Sequence, residues 1–62
     1  MKVKQVIRLL KEDGWHQVGQ RGSHRQFKHP TKPGRVTVPD HGANQDLAKG
    51  TENSILKQAG LK

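Results

Sequence analysis

The chain has 62 residues, only 29% of them hydrophobic, so it is expected to form one domain, residues 1–62, that buries roughly 60% of the surface its unfolded form exposes. This size excludes a deep catalytic pocket, and the absence of cysteine excludes disulfide bridges and cysteine-ligated zinc. Twelve Lys and Arg against five Asp and Glu give a net charge of +7, which predicts a polyanionic partner.

The first predicted element is an amphipathic helix that starts near the amino end. Its apolar positions follow the i, i+3, i+4, i+7 spacing of one helix face, at Val3, Val6, Ile7 and Leu10. Gly14 can adopt the left-handed conformation that ends a helix, with Trp15 folding back on the last turn. The sequence therefore predicts a helix that ends just before Gly14 and a structural role for Trp15 in preference to base stacking.

Three short strands are predicted next, over residues 15–20, 24–29 and 35–38, because turn-forming residues separate them at 21–23 and 30–34. Strict alternation along each strand sorts the side chains onto two faces. The face turned toward the helices should hold Val18, Phe27, Val36 and Val38. The open face should hold Gln17, His24, Gln26, Lys28, Arg35 and Thr37. Alternation sends Arg25 to the helix side.

Residues 40–46 are rich in turn formers and predict a surface loop. Thr51 is predicted as the N-cap of a last helix that contains Ile55, Leu56 and Ala59, and Gly60 is expected to close it. The fold class is therefore α+β, in the order α-β-β-β-α, with both helices on one face of a three-stranded antiparallel sheet. This arrangement resembles that of double-stranded-RNA-binding domains.

Positive charge is concentrated in the middle of the chain. No acidic residue lies between Gly14 and Pro39. This segment does contain many basic and histidine residues, namely Arg21, Arg25, Lys28, Lys32, Arg35, His16, His24 and His29. Basic and hydrogen-bonding groups side by side on a solvated sheet face suit a phosphate backbone, so the open face is the predicted site.

Three segments resemble the HicA family of bacterial toxins. Residues 22–30, Gly-Ser-His-Arg-Gln-Phe-Lys-His-Pro, are similar to its central signature, in which Gly-Ser-His precedes a basic residue, a variable residue and Phe. Residues 36–39 resemble its third strand, and residues 49–51 and 54–60 its closing helix. Two departures are visible, because many members have a second His where this chain has Arg25, and because the loop over residues 40–46 is longer than usual.

The resemblance implies an mRNA interferase of a type II toxin–antitoxin system, that is, an endoribonuclease that stops translation. It implies His24 as the catalytic residue. Histidine suits the removal of a proton from a ribose 2′-hydroxyl because its usual pKa of about 6.5 is near the operating pH. RNA contacts are expected from Gly22 and Ser23 through backbone N–H groups, and from the side chains of Gln26, Lys28, Arg35 and Arg21. The acid for the leaving oxygen is left open among His29, His16, Lys28 and water.

No metal or cofactor is predicted, because the histidine spacing does not match a zinc pair and the substrate supplies its own nucleophile. The expected partners are messenger RNA and a HicB-type antitoxin that covers the active site. No apolar run is long enough for a signal peptide or a membrane span, so we expect a cytoplasmic protein. Two alternatives stay open, namely a non-catalytic double-stranded-RNA-binding module and a basic interaction protein that matches an acidic neighbour.

Overall fold

The computed structural model describes all 62 residues and has the predicted order of elements. Its elements are α1 (Val3–Glu12), β1 (His16–Arg21), β2 (His24–Lys28), β3 (Val36–Pro39) and α2 (Lys49–Gln58). The strands form one antiparallel sheet in the order β1-β2-β3, with β2 in the centre. The α+β fold class predicted from the sequence is confirmed. Neither helix has the length and apolar character needed to cross a bilayer.

A small apolar core lies between the two helices and one face of the sheet. Nine residues are buried and none of them is polar. They come from both helices, from β2 and β3, and from the segment after α1: Val3, Val6, Leu10, Trp15, Phe27, Val36, Val38, Ile55 and Ala59. The predicted apolar stripe of α1 and the structural role of Trp15 are confirmed, and the opposite face of the sheet is left without a cover.

Both helices end in the way that their glycines predict. In α1, Gly14 has φ +102°, and the N–H of Trp15 donates to the carbonyl of Leu10 at 2.9 Å. In α2, Gly60 has φ +71°, and the N–H of Leu61 donates to the carbonyl of Leu56 at 2.9 Å. These are the six-to-one bonds of the Schellman motif, and they turn the chain at Gly14 directly toward β1.

His29 joins the end of α1 to the turn between β2 and β3. Its Nε2 lies 2.6 Å from the carbonyl oxygen of Asp13, and its Nδ1 accepts from the backbone N–H groups of Thr31 and Lys32, both at 3.1 Å. Lys32 Nζ in turn lies 2.5 Å from the Asp13 carboxylate and 3.1 Å from the Ala59 carbonyl at the end of α2. These contacts tie the ends of both helices to one turn of the sheet.

The predicted faces of Val18 and Gln17 are wrong, because β1 contains a bulge. Gln17 pairs with Phe27, whereas Gly19 pairs with Gln26, so the register shifts at Val18. An extra residue in one strand reverses the alternation beyond it. Gln17 therefore shares the face of Phe27, and the Val18 side chain is 47% exposed.

The prediction of Thr51 as the N-cap of the last helix is also wrong. The helix begins at Lys49, and Ala48 occupies the N-cap position without a side-chain hydrogen bond. The preceding Leu47 packs against the core and donates its N–H to the carbonyl of Met1 at 3.0 Å. This long-range contact fixes where the chain enters the helix, which places Thr51 inside its first turn.

The surface loop over residues 40–46 is confirmed, and it also holds the start of α1. The carbonyls of Ala43 and Gln45 accept from the N–H groups of Lys4 and Val3 at 3.1 Å and 2.9 Å. The first N–H groups of a helix have no partner inside the helix. The loop therefore satisfies donors that a side-chain cap would otherwise have to satisfy.

Replacing Gly14 by Ala should destabilise the fold more than the same change at Gly60. Both residues have positive φ, which costs an alanine about 1–2 kcal/mol. A Cβ at Gly14 would also lie 2.8 Å from Nε2 of His29, whereas at Gly60 it would meet only the flexible end of Lys32 at 3.5 Å. Urea unfolding followed by circular dichroism compares the two variants. An equal or smaller loss for Gly14→Ala would contradict the packing role of His29.

Stability should fall in acid because of Asp13. The hydrogen bond from Lys32 lowers the pKa of the Asp13 carboxyl below its usual value of 3.8. A lowered folded-state pKa stabilises the protein above the unfolded-state value, and that contribution is lost as the pH falls through the folded-state pKa. The urea midpoint should therefore decrease from about pH 5 toward about pH 2, and decrease less in Asp13→Asn. Glu12→Gln is the control, and equal acid sensitivity in both variants would count against this role.

Candidate nucleic-acid interface

The open face of the sheet can be read from the strand pairing, because residues directly opposite each other project from the same face. His24 lies at the last rung, opposite Arg21 on β1 and Pro39 on β3. Phe27 is fully buried on the other face, so His24, three positions before it, projects away from the helices. The predicted outward orientation of His24 is confirmed, and Arg21 lies beside it.

The imidazole of His24 is exposed and has no hydrogen-bond partner in the protein. His29 differs in this respect, because both of its ring nitrogens are engaged at the end of α1. A free ring can act on a bound substrate, whereas a ring with both nitrogens bonded cannot exchange protons without losing those bonds. His29 is therefore a structural residue and not part of the open face.

The turn before His24 presents unused backbone donors. Gly22 has φ +56°, and Ser23 does not have positive φ, which is the pattern of a two-residue type II′ hairpin turn. The Gln20 side chain donates to the Gly22 carbonyl at 2.8 Å. Neither the Gly22 nor the Ser23 N–H donates to another protein group. Both remain available to a phosphate oxygen next to His24.

The middle rung holds an oriented cation. Gln26 lies opposite Gly19 on one side and Thr37 on the other. Arg35 precedes β3, and its Nη1 donates to Oε1 of Gln26 at 2.8 Å. This bond draws the guanidinium of Arg35 over the centre of the face, toward the rung of His24. Gln26 is thus placed to orient Arg35, which the sequence did not reveal.

The third rung adds two more basic side chains. Lys28 lies opposite His16, and both are exposed. Lys28 is four positions along β2 from His24, which corresponds to about 13 Å. Strict alternation along β1 predicts His16 on the helix side with Val18, and the bulge places it on the open face instead. The strand pairing places no acidic residue on this face, so its charge is uniformly positive or neutral.

Arg25 lies on the helix side, as alternation predicts. It pairs with the buried Val38, and its Nε lies 2.5 Å from Oδ2 of Asp40. Its charge is therefore balanced within the protein and does not add to the open face.

The two largest concavities of the molecule lie on the helices, along α1 and between the ends of α1 and α2. The candidate interface is a flat surface and not a pocket.

The histidines do not form a metal-binding cluster, since no group of three His, Cys, Asp or Glu side chains lies close enough to hold an ion. His41 lies in the exposed loop over residues 40–46.

On the open face, the structure brings together the predicted site residues, namely His24, Arg21, the turn at Gly22 and Ser23, Gln26, Arg35 and Lys28. Every residue predicted for the site lies on this face or at its edge.

Comparison with known proteins gives consistent results. A family model described as the HicA toxin of bacterial toxin–antitoxin systems matches residues 3–61. A protein of Pseudomonas fluorescens (strain Pf0-1), named probable mRNA interferase HicA, is 39% identical over 62 residues, which are 100% of this chain and 98% of the relative. A solved toxin–antitoxin complex from Streptococcus pneumoniae contains a chain with 34% identity and a TM-score of 0.78, and the match covers 98% of each chain.

Proposed function

This chain belongs to the bacterial HicA toxin family and is an endoribonuclease of a toxin–antitoxin system, and we propose that His24 is the base that starts its cleavage of messenger RNA. The observation that carries this proposal is the free imidazole of His24 at the rim of an acid-free, cationic sheet face. Since messenger RNA is the proposed substrate, the cytoplasm is the proposed site of action.

The proposed reaction uses the nucleophile that RNA itself contains. The neutral imidazole of His24 takes the proton of a ribose 2′-hydroxyl, and the 2′-oxygen forms a bond to the adjacent phosphorus. The bond from phosphorus to the 5′-oxygen of the next nucleotide then breaks. The products are a 2′,3′-cyclic phosphate and a 5′-hydroxyl. No metal-activated water takes part in this sequence of steps.

Charge on the phosphate oxygens increases during this attack, and the groups around His24 are suited to stabilise it. The guanidinium of Arg35 is held by Gln26, so it needs little reorganisation when the charge develops. The N–H groups of Gly22 and Ser23 offer two further donors. One well-placed donor contributes about 3 kcal/mol to transition-state stabilisation in other enzymes. Lys28, farther along β2, holds the substrate backbone.

The proton that the leaving 5′-oxygen needs is assigned to water. His29 is engaged by Asp13 and by the turn that follows β2. His16 and Lys28 share a rung about 13 Å from His24 along the strand, so we assign them to the substrate backbone and not to the leaving oxygen. A single histidine with water as the acid predicts slow turnover, which is sufficient for a toxin.

We propose that a HicB-type antitoxin inhibits this chain by covering the open face. The solved structure from Streptococcus pneumoniae is described as a toxin–antitoxin complex. A surface that carries Arg21, Arg35 and Lys28 without acidic residues suits an acidic or site-plugging partner. The same groups would then bind either RNA or the antitoxin, so that inhibition follows from competition.

Replacing His24 by Ala should abolish RNA cleavage. Loss of a general base lowers the rate by about 10²- to 10⁴-fold, and the fold should persist because the ring is exposed and makes no hydrogen bond within the protein. A single-stranded RNA is incubated with each variant in the presence of EDTA, and His41→Ala is the control for loss of an exposed histidine. A DNA oligonucleotide of the same sequence should remain intact because it has no 2′-hydroxyl.

Two outcomes would overturn this assignment. Undiminished cleavage by His24→Ala would exclude His24 as the base, and loss of cleavage in EDTA would exclude the metal-independent reaction. RNA binding without any cleavage by the unaltered protein would instead favour the non-catalytic RNA-binding module.

Charge reversal on the open face should weaken the complex with the antitoxin. The variant Lys28→Glu with Arg35→Glu places two negative charges on the proposed contact surface, whereas Lys57→Glu changes an exposed lysine of α2. Isothermal titration with the antitoxin should show a Kd increase of about 10-fold or more for the double variant and little change for Lys57→Glu. Equal affinity of all three proteins would exclude the open face as the contact surface.

A further inference from the structure

An ion pair lies beneath the rung that carries His24, on the opposite face of the sheet. Nε of Arg25 is 2.5 Å from Oδ2 of Asp40, and the Asp40 side chain is only 10% exposed. Nε of Arg25 is itself shielded from solvent and makes no hydrogen bond, so its contact with Asp40 is ionic, while the Arg25 side chain as a whole is 37% exposed. The pair is therefore partly desolvated, unlike the pair of Arg8 and Glu12 on α1, whose side chains are 82% and 64% exposed.

The contacts of this pair reach all three strands. Nη1 of Arg25, on β2, donates to Oε1 of Gln17 on β1 at 3.2 Å. Asp40 directly follows β3, and its N–H donates to the carbonyl of Ser23 at 2.6 Å. Its Oδ1 accepts from the N–H of Gly42 at 2.9 Å. The pair thus connects both edge strands and the hairpin turn to the strand that carries His24.

His24 needs such support because it occupies a terminal rung. The register ends at the pairs of His24 with Arg21 and with Pro39, where the hairpin turn follows on one side and the loop over residues 40–46 on the other. Terminal rungs open more readily than central ones, because fewer contacts must break. The core reaches only the neighbouring rung, at Val38, because no residue of the terminal rung is buried.

We infer that Arg25 and Asp40 form a positioning pair that fixes the backbone of the His24 rung for catalysis. The inference rests on the proposed function of His24. Neither member touches the substrate, because both side chains lie on the helix side of the sheet and their charges balance each other. The pair acts through the strand geometry, and it assigns a role to the basic residue that follows His24.

The test compares Arg25→Gln, Asp40→Asn and the double variant with Arg8→Gln, which removes the same charge from the exposed pair on α1. Cleavage of a single-stranded RNA is measured over a range of RNA concentrations to separate kcat from KM. The imidazole signals of His24 and His29 are followed by NMR of the ¹⁵N-labelled protein without RNA, so this readout does not require activity. Thermal unfolding is recorded for each variant, and Arg25→Lys replaces Arg25→Gln if the latter does not fold.

We expect both single variants to lose about 10- to 100-fold in kcat, with KM changed less than about twofold because no substrate contact is removed. The double variant should lose no more than either single one, because both changes break the same unit. The His24 signals should shift or broaden while those of His29 stay in place, and Arg8→Gln should match the unaltered protein.

Unchanged kcat and unchanged His24 signals in folded Arg25→Gln and Asp40→Asn would overturn the positioning role. A rise in KM alone would overturn it in favour of direct RNA contact by Arg25. Shifted His24 signals in a protein that cleaves no RNA would support the positioning pair while rejecting the proposed reaction, so the two failures can be told apart.

Discussion

Burial of Phe27 is the interaction that orients the site. Phe27 lies in the central strand, is fully buried, and contributes about 1.5–3 kcal/mol through removal of its side chain from water. Because successive strand residues alternate between faces, an inward Phe27 forces Gln26 and Lys28 outward, and it forces His24 outward as well. The spacing of His and Phe in residues 22–30 therefore has a physical meaning. A shift of one residue in this strand would turn His24 into the core and Phe27 into solvent.

The core that enforces this arrangement is small, and polar contacts at its periphery complete it. Nine buried residues cannot hold the ends of every element. The network of His29, Lys32 and Asp13 joins both helix ends to the turn after β2. At the opposite end of the sheet, Arg25 and Asp40 connect the three strands. Both clusters lie at the margin of the core, the first beside Trp15 and Ala59 and the second beside Val38.

A flat, cationic face is consistent with both proposed partners of this toxin. An RNA backbone requires accessible donors and cations in a row, which the rungs of Arg21, Arg35 and Lys28 provide. A protein inhibitor requires a continuous surface that it can cover, and a flat sheet offers one. Both requirements are met because the two helices cover the same side of the sheet, so that the whole of the other side stays available.

Features that depend on local periodicity or on single residues could be predicted from the sequence. Spacing and backbone preference predict four of these features. They are the apolar stripe of α1, the helix ends at Gly14 and Gly60, the order of the elements and the outward direction of His24. The positions of Val18 and Gln17 did not follow, because a bulge depends on how two strands pair. An inward Trp15 could have signalled the error at Val18, since residues three apart face opposite sides in a regular strand, but the bulge itself left no such signal. Three further features depend on contacts that form only after the chain has folded. These are the start of α2 at Lys49, the bond between Gln26 and Arg35, and the pair of Arg25 with Asp40. No local pattern in the sequence could predict them, because the residues that make each contact come from different elements.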